Sequence, residues 1–129
     1  MSDGRLPKSE RPKERDNELR AKVDKVAQRL GFDSILLADG FDGALVGVGT
    51  RFIHPVAIYN YDTCVQMLAN DYLDDAEEQK RDGYTDEDAL LDAEEYLSHN
   101  TIGAHVGENT PIYLRFTTDV LDAVLEEYE

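Results

Sequence analysis

Four sets of side chains in this 129-residue chain have types and spacings that bear on chemistry. Asp39-Gly40-Phe41-Asp42-Gly43 places two carboxylates beside glycines, a combination able to hold a hard cation. An EF-hand loop needs an oxygen ligand at its third position and glycine at its sixth. Counted from Asp39, those positions hold Phe41 and Ala44, so the pattern reads as a turn that also offers a ligand or partner contact. Gly47-Val48-Gly49 has two glycines of a dinucleotide fingerprint, but Phe52 stands at the third, and no Gly-Lys-Ser/Thr P-loop is present. Arg51, at the end of that stretch, is placed to meet an anion. His54, His99 and His105 lack the close spacing of paired metal ligands. The serines lack the Gly-x-Ser-x-Gly elbow of a hydrolase. Cys64, the sole cysteine, excludes an intrachain disulfide and reads as a buried thiol on a helix. No catalytic residue, metal ligand or cofactor is assigned.

The fourth set is acidic. Asp71, Asp74, Asp75 and Glu78 fall within two helical turns, where like charges mildly repel. Three readings stand: a solvated face, a docking surface for a basic partner, or adaptation to high salt. Aromatic residues add one more candidate. Tyr59 and Tyr113 alternate onto what is expected to be one sheet face, as an exposed contact patch or as a second core layer beneath terminal helices.

Charge sharpens the acidic reading. The formal net charge is -15, but residues 1–30 hold nine bases against six acids, while residues 31–129 hold four against 22. Residues 71–95 alone hold 12 acids. Such a body repels nucleic-acid phosphates and anionic membranes, and attracts cations, basic proteins or its own basic arm. No apolar run approaches the roughly 20 residues of a membrane-spanning helix, and residues 1–15 have no signal-peptide core. A cytoplasmic location is expected.

The elements that must position these groups follow from periodicity. Residues 1–15, with Pro7, Pro12 and many charges, read as a disordered basic arm. Residues 16–129 read as one α+β domain. Asp16 or Asn17 caps a helix with an apolar stripe of Leu19, Val23, Val26, Ala27 and Leu30, ended by Gly31. Ser34 to Ala38 reads as a short strand. Ala44 to Gly49 and Pro55 to Asn60 read as two more, joined by a hairpin connection over Thr50 to His54. In the first, Val46 and Val48 are expected on one face and Leu45 on the other, with Gly47 and Gly49 marking a bulge or close contact. Asp62 is expected to cap a helix to about Gln79, and Thr85 with Asp88 a second. A second hairpin is expected from Ile102 to Val106 and Ile112 to Phe116, then a final helix from Thr118. The sum is a small antiparallel sheet of two hairpins, ββ-αα-ββ, packed with helices and flanked by N- and C-terminal helices.

Several pieces occur together in order: Asp39-Gly40-Phe41-Asp42-Gly43-Ala44-Leu45-Val46-Gly47, Val56-Ala57-Ile58-Tyr59-Asn60-Tyr61-Asp62 with Cys64, Arg81-Asp82-Gly83-Tyr84-Thr85, Asn100 with Gly103-Ala104, and Gly107-Glu108-Asn109-Thr110-Pro111-Ile112. Over residues 39–116 the chain resembles a group of small uncharacterised proteins of tailed bacteriophages. The acidic stretch Tyr72 to Lys80 departs from that group's shorter helix connection. The resemblance implies a virus-encoded protein acting in a bacterial cytoplasm, and carries no activity or catalytic residue with it. The expectation is a non-enzymatic binder of a host or phage protein, through the acidic helices or the Asp39 loop. The alternative is a small-ligand or divalent-metal module, with or without activity, built on Asp39 to Arg51. A structural virion component is a third.

Overall fold

A computed structural model describes residues 5–102 and 107–115, with the side chains of residues 100–102 excepted. The expected strand over residues 103–106, Phe116 and the helix from Thr118 lie outside the described residues.

Helix α1 spans Asn17–Arg29, and the Asp16 carboxylate accepts a hydrogen bond from the Leu19 N–H. That bond satisfies one of the amides a helix start leaves free. Gly31, at φ +82°, closes the helix in the left-handed conformation glycine tolerates. Val23 and Ala27 bury on the stripe. Ser34 to Ala38 is not a strand. The segment has no ladder partner and is fixed instead by Ile35, which is buried, and by the Ala38 N–H, which donates to the Tyr59 hydroxyl at 2.8 Å.

Strand β1 (Leu45–Arg51) and strand β2 (His54–Asn60) form an antiparallel hairpin longer than expected, closed by Phe52 and Ile53 alone. The register slips between Leu45 and Gly47, which is a bulge at Val46. One extra residue inverts the alternation. Leu45 therefore shares the core face with Val48, and Val46 is left exposed, against the pairing of Val46 with Val48 expected from simple alternation.

Helix α2 (Tyr61–Glu78) starts without a linker. Asn60, the last residue of β2, is its cap and accepts from the Thr63 N–H at 3.1 Å; Asp62, the expected cap, lies inside the first turn. Gly83, at φ +85°, turns the chain into helix α3 (Asp86–Tyr96), where Thr85 and Asp88 form the expected capping box. The helix runs on into a π-type turn, Leu97–Ile102, so Ile102 ends a helical segment and does not open a strand.

Strand β3 (Ile112–Leu114) corrects the sheet. It lies parallel to β2, giving a mixed sheet in the order β1-β2-β3 where two antiparallel hairpins were expected. Parallel neighbours need a long crossover, and α2 with α3 supplies it. The architecture among the described residues is α+β. One sheet face (Ala57 and Tyr59, joined by Leu45, Val48 and Tyr113) forms a single core with α1, α2 and α3. Tyr59 is fully buried and stacks on Tyr113, centroids 5.5 Å apart. Cys64 is buried beside them, and burial pushes its thiol up to about 12. Among the described residues no helix is long and apolar enough to cross a membrane.

The hairpin tip is the strained point. Phe52 sits at φ +57° and is 94 % exposed. A positive φ at the first residue of a two-residue turn is a place for glycine. Phe52→Gly is expected to raise stability by about 0.5–1 kcal/mol, allowing for the greater freedom of glycine in the unfolded chain. Urea denaturation measures it; an unchanged or lower midpoint would contradict the strain.

Candidate docking surface

Residues 5–15, read from sequence as a disordered arm, lie against the body. Their root is fixed by Asp42. This side chain is 2 % exposed, and one oxygen accepts from the Asp16 N–H at 2.7 Å and from Arg20 Nε at 2.6 Å. The other accepts from Arg20 Nη2 at 2.8 Å. Burial pushes the carboxyl up, but the Arg20 and Asp16 hydrogen bonds outweigh it and hold it below the usual carboxylate range. The backbone continues the attachment. The Asp42 N–H donates to the Glu14 carbonyl at 3.3 Å, and the Gly43 N–H to the Lys13 carbonyl at 2.6 Å. A Cβ on Gly43 would meet Lys13 N at 2.6 Å and the Pro12 side chain closer still, so glycine is required there.

From that root the arm crosses α2. Helical spacing sets Gln66, Asn70 and Asp74 in one row, with Glu77 beside its end. Gln66 Nε2 donates to Asn70 Oδ1 at 3.1 Å, and the Leu6 N–H donates to the same oxygen at 3.4 Å. Arg11 grips Asp74 through two bonds, at 2.5 and 3.1 Å, while its Nε donates to the Leu6 carbonyl at 2.8 Å. Arg5 reaches Asp74 at 2.9 Å and Glu77 at 2.6 Å. The bond from Arg11 holds the Asp74 carboxyl below its usual range. The geometry has an electrostatic cause. The last turns of α2 are acidic with no base of their own, the wrong sign for a helix C-terminus. The arm's guanidinium groups bring the missing cations. An open cleft of about 520 Å³ runs between Arg5, Leu6, Lys8 and Arg11 on one side and Asp74 and Glu78 on the other.

Asp71 opposes this attraction. Burial comes first, then a hydrogen bond and charge from Glu14, and together they push its carboxyl up to about 6. Asp74 acts in the same direction, and Arg11 against it.

The sequence-derived candidates separate accordingly. Asp74 and Asp71 meet the arm, while Asp75 and Glu78 are exposed on the same helix. Asp42 is an internal ion-pair residue whose oxygens are taken, so the Asp39 loop does not offer two carboxylates to a ligand. The Asp39 side chain is 97 % exposed, 3.7 Å from Arg20. Tyr59 is a core residue, not part of an exposed patch; its hydroxyl, pushed to about 12 by burial, serves the Ala38 N–H. Arg51 donates to the Glu108 carbonyl at 3.3 Å, beside a 2.6 Å contact between His54 Nε2 and the Glu108 carboxylate. It thereby ties the hairpin tip to the turn before β3. Among the described residues no group of three or more His, Cys, Asp or Glu is arranged to hold a metal. Sequence reasoning missed Arg5, Arg11, Glu14 and Asn70. The signal available was charge complementarity between a basic arm and an acidic helix.

Fold and surface together define an α+β domain with an acidic helical face already bound to guanidinium groups. No family model matches the chain, and neither a curated protein nor a solved structure is found similar to it.

Two substitutions test the electrostatics. Asp42→Asn leaves Arg20 without its charged partner and is expected to cost about 2–4 kcal/mol in urea denaturation; a loss below about 0.5 kcal/mol would contradict the anchoring role. Asp71→Asn acts in the opposite sense. The folded chain keeps the Asp71 proton up to about 6, whereas an unfolded Asp releases it near the ordinary value of about 4. Asp71 therefore supports folding at low pH, and that support falls away as pH rises from about 4 through about 6. The variant is expected to gain on the order of 1 kcal/mol over the parent at pH 7–8, after allowance for solvent screening, with the gain vanishing below about pH 4. Thermal melts of both chains from pH 3.5 to 8 measure the difference, and a pH-independent difference would refute it.

Proposed function

We propose that this chain is a non-enzymatic accessory protein that binds a protein partner carrying a basic segment, through the acidic outer face of α2 and α3. The observation that carries the reading is Asp74 holding Arg5 and Arg11, because the face already binds arginine side chains. Exposed Asp75, Glu77, Glu78, Asp82, Glu87 and Glu95 extend the same charge around it. A compact acidic field of this kind steers a basic partner and repels polyanions. Nucleic acid is therefore a poor fit for the body. The resemblance of residues 39–116 to small phage proteins supports a phage origin and action in a bacterial host's cytoplasm, on a host or phage protein.

No observation favours the small-ligand or metal reading, since Asp42 is committed to Arg20. The test is affinity capture from host lysate with the full chain as bait, at about 50 mM and about 500 mM salt, where charges are screened very differently. A specific protein retained at low salt, released at high salt and lost with an Asp75→Asn/Glu78→Gln bait is expected. Absence of any specific partner at both salt concentrations would remove the reading.

A further inference from the structure

The N-terminal arm occupies the acidic face, and the fit between them is incomplete at one point. Asn70 is 1 % exposed and its side chain turns toward the arm, where Oδ1 accepts from the Leu6 N–H at 3.4 Å. Its Nδ2 is buried with no hydrogen-bond partner among the described residues. A buried, unpaired amide donor costs about 1–3 kcal/mol and is rare in folded proteins. A side-chain amide can donate to a peptide carbonyl and accept from a peptide N–H at the same time, which suits it to a peptide backbone laid across it. The arm satisfies the accepting half, at long range, and leaves the donating half unmet.

We propose that the row Gln66, Asn70, Asp74 and Glu77 on α2 is a binding groove for an arginine-bearing peptide of a partner protein that turns as the arm does through its 3-10 turn Lys8–Glu10, and that the arm is its resident, displaceable occupant. This rests on the protein-binding function proposed above and names its partner chemistry. The arm supplies the template. Two arginines six positions apart, Arg5 and Arg11, converge on Asp74, and the Leu6 backbone lies on Asn70 between them. A partner segment with the same arginines, and a carbonyl in reach of Nδ2, makes every bond the arm makes and one more. The arm wins in the free protein because it is tethered, which gives it a high effective concentration at the groove. It also closes the groove to weaker basic sequences, so the contact is autoinhibitory.

The test uses fluorescence anisotropy with a labelled peptide of residues 5–14, titrated with three full-length chains: the parent, Gly43→Ala, and Arg5→Ser/Arg11→Ser. Gly43→Ala places a methyl group where the Pro12–Lys13 backbone passes, and leaves α2 unaltered. The double variant removes the arm's grip from the arm side. Both are expected to bind the peptide at least about tenfold more tightly than the parent, since they relieve intramolecular competition. Faster tryptic cleavage between Lys8 and Lys13 in Gly43→Ala reports arm release. Should Gly43→Ala not fold, the double variant decides alone. Adding Asp74→Asn or Asn70→Ala to the double variant is expected to abolish binding. Equal affinity for all three chains, or binding that survives Asp74→Asn, would overturn the proposal. So would concentration-dependent dimerisation of the parent that the double variant lacks, because the occupant would then be a second copy's arm. A captured partner that the peptide does not displace overturns the groove and leaves the acidic-surface reading intact. Tight peptide binding with no captured partner does the reverse.

Discussion

The Asp42 carboxylate is the constraint from which the rest of the described structure is built. A carboxylate at 2 % exposure is costly to bury, and survives there only with its oxygens fully used. Arg20 takes both, and the amide that opens α1 takes one of them again. One side chain thus fixes the start of α1 against the short 3-10 turn Asp42–Ala44, which leads directly into β1. The stabilisation from such a pair is modest once desolvation is counted. Its larger effect is specificity, because any other arrangement of α1 and the hairpin leaves a buried charge unpaired.

The same turn directs the arm. Two backbone bonds, at Asp42 and Gly43, deliver the chain at residues 13–14 to the flank of α2, and the missing Gly43 side chain gives it room. Beyond that root the arm needs few strong contacts. It is already near its target, so even partly buried ion pairs of modest strength act without the entropic cost of bringing two molecules together. The charge polarity of the chain becomes a positional fact in this light. Positive residues near the N-terminus and negative residues on α2 are the two sides of one contact.

Local signals were legible where a single segment decides the outcome. Asp16 and Gly31 bracket α1, and Thr85 with Asp88 starts α3, because caps and left-handed turns are properties of a few consecutive residues. Errors arose where a distant partner decides. Alternation in Ala44 to Gly49 misplaces Val46, since a bulge is visible only against the strand opposite. Ile112–Leu114 looks the same whether it pairs parallel or antiparallel, and the long helical crossover settles which. Ser34 to Ala38 has strand-like residues but joins neither edge strand of the sheet, β1 or β3. For Tyr59 alternation leaves an exposed patch and a second core layer both open, and the stack with Tyr113 and the bond to Ala38 decide for core. Composition makes the arm look disordered because it reports what a segment can bury by itself, and here the attachment comes from charge on another helix.

Apart from the strained hairpin tip, the unmet polar and like-charge contacts described above fall on one face. Helix starts are capped, Asp42 is satisfied, and Tyr84 donates to Asp92 at 2.7 Å beneath the Arg81 guanidinium. Along the arm and α2 the pattern changes. Glu14 faces Asp71 as a like charge, the Leu6 bond to Asn70 is stretched to 3.4 Å, and Asn70 Nδ2 has no partner among the described residues. Attraction at Asp74 and repulsion at Asp71 lie one helical turn apart and act on the same segment. Sequences that agree with their fold at every other level break local rules where binding sets a competing requirement. On the proposed reading the arm must be held firmly enough to fill the groove and loosely enough to leave it, and the attraction at Asp74 with the repulsion at Asp71 meets both demands.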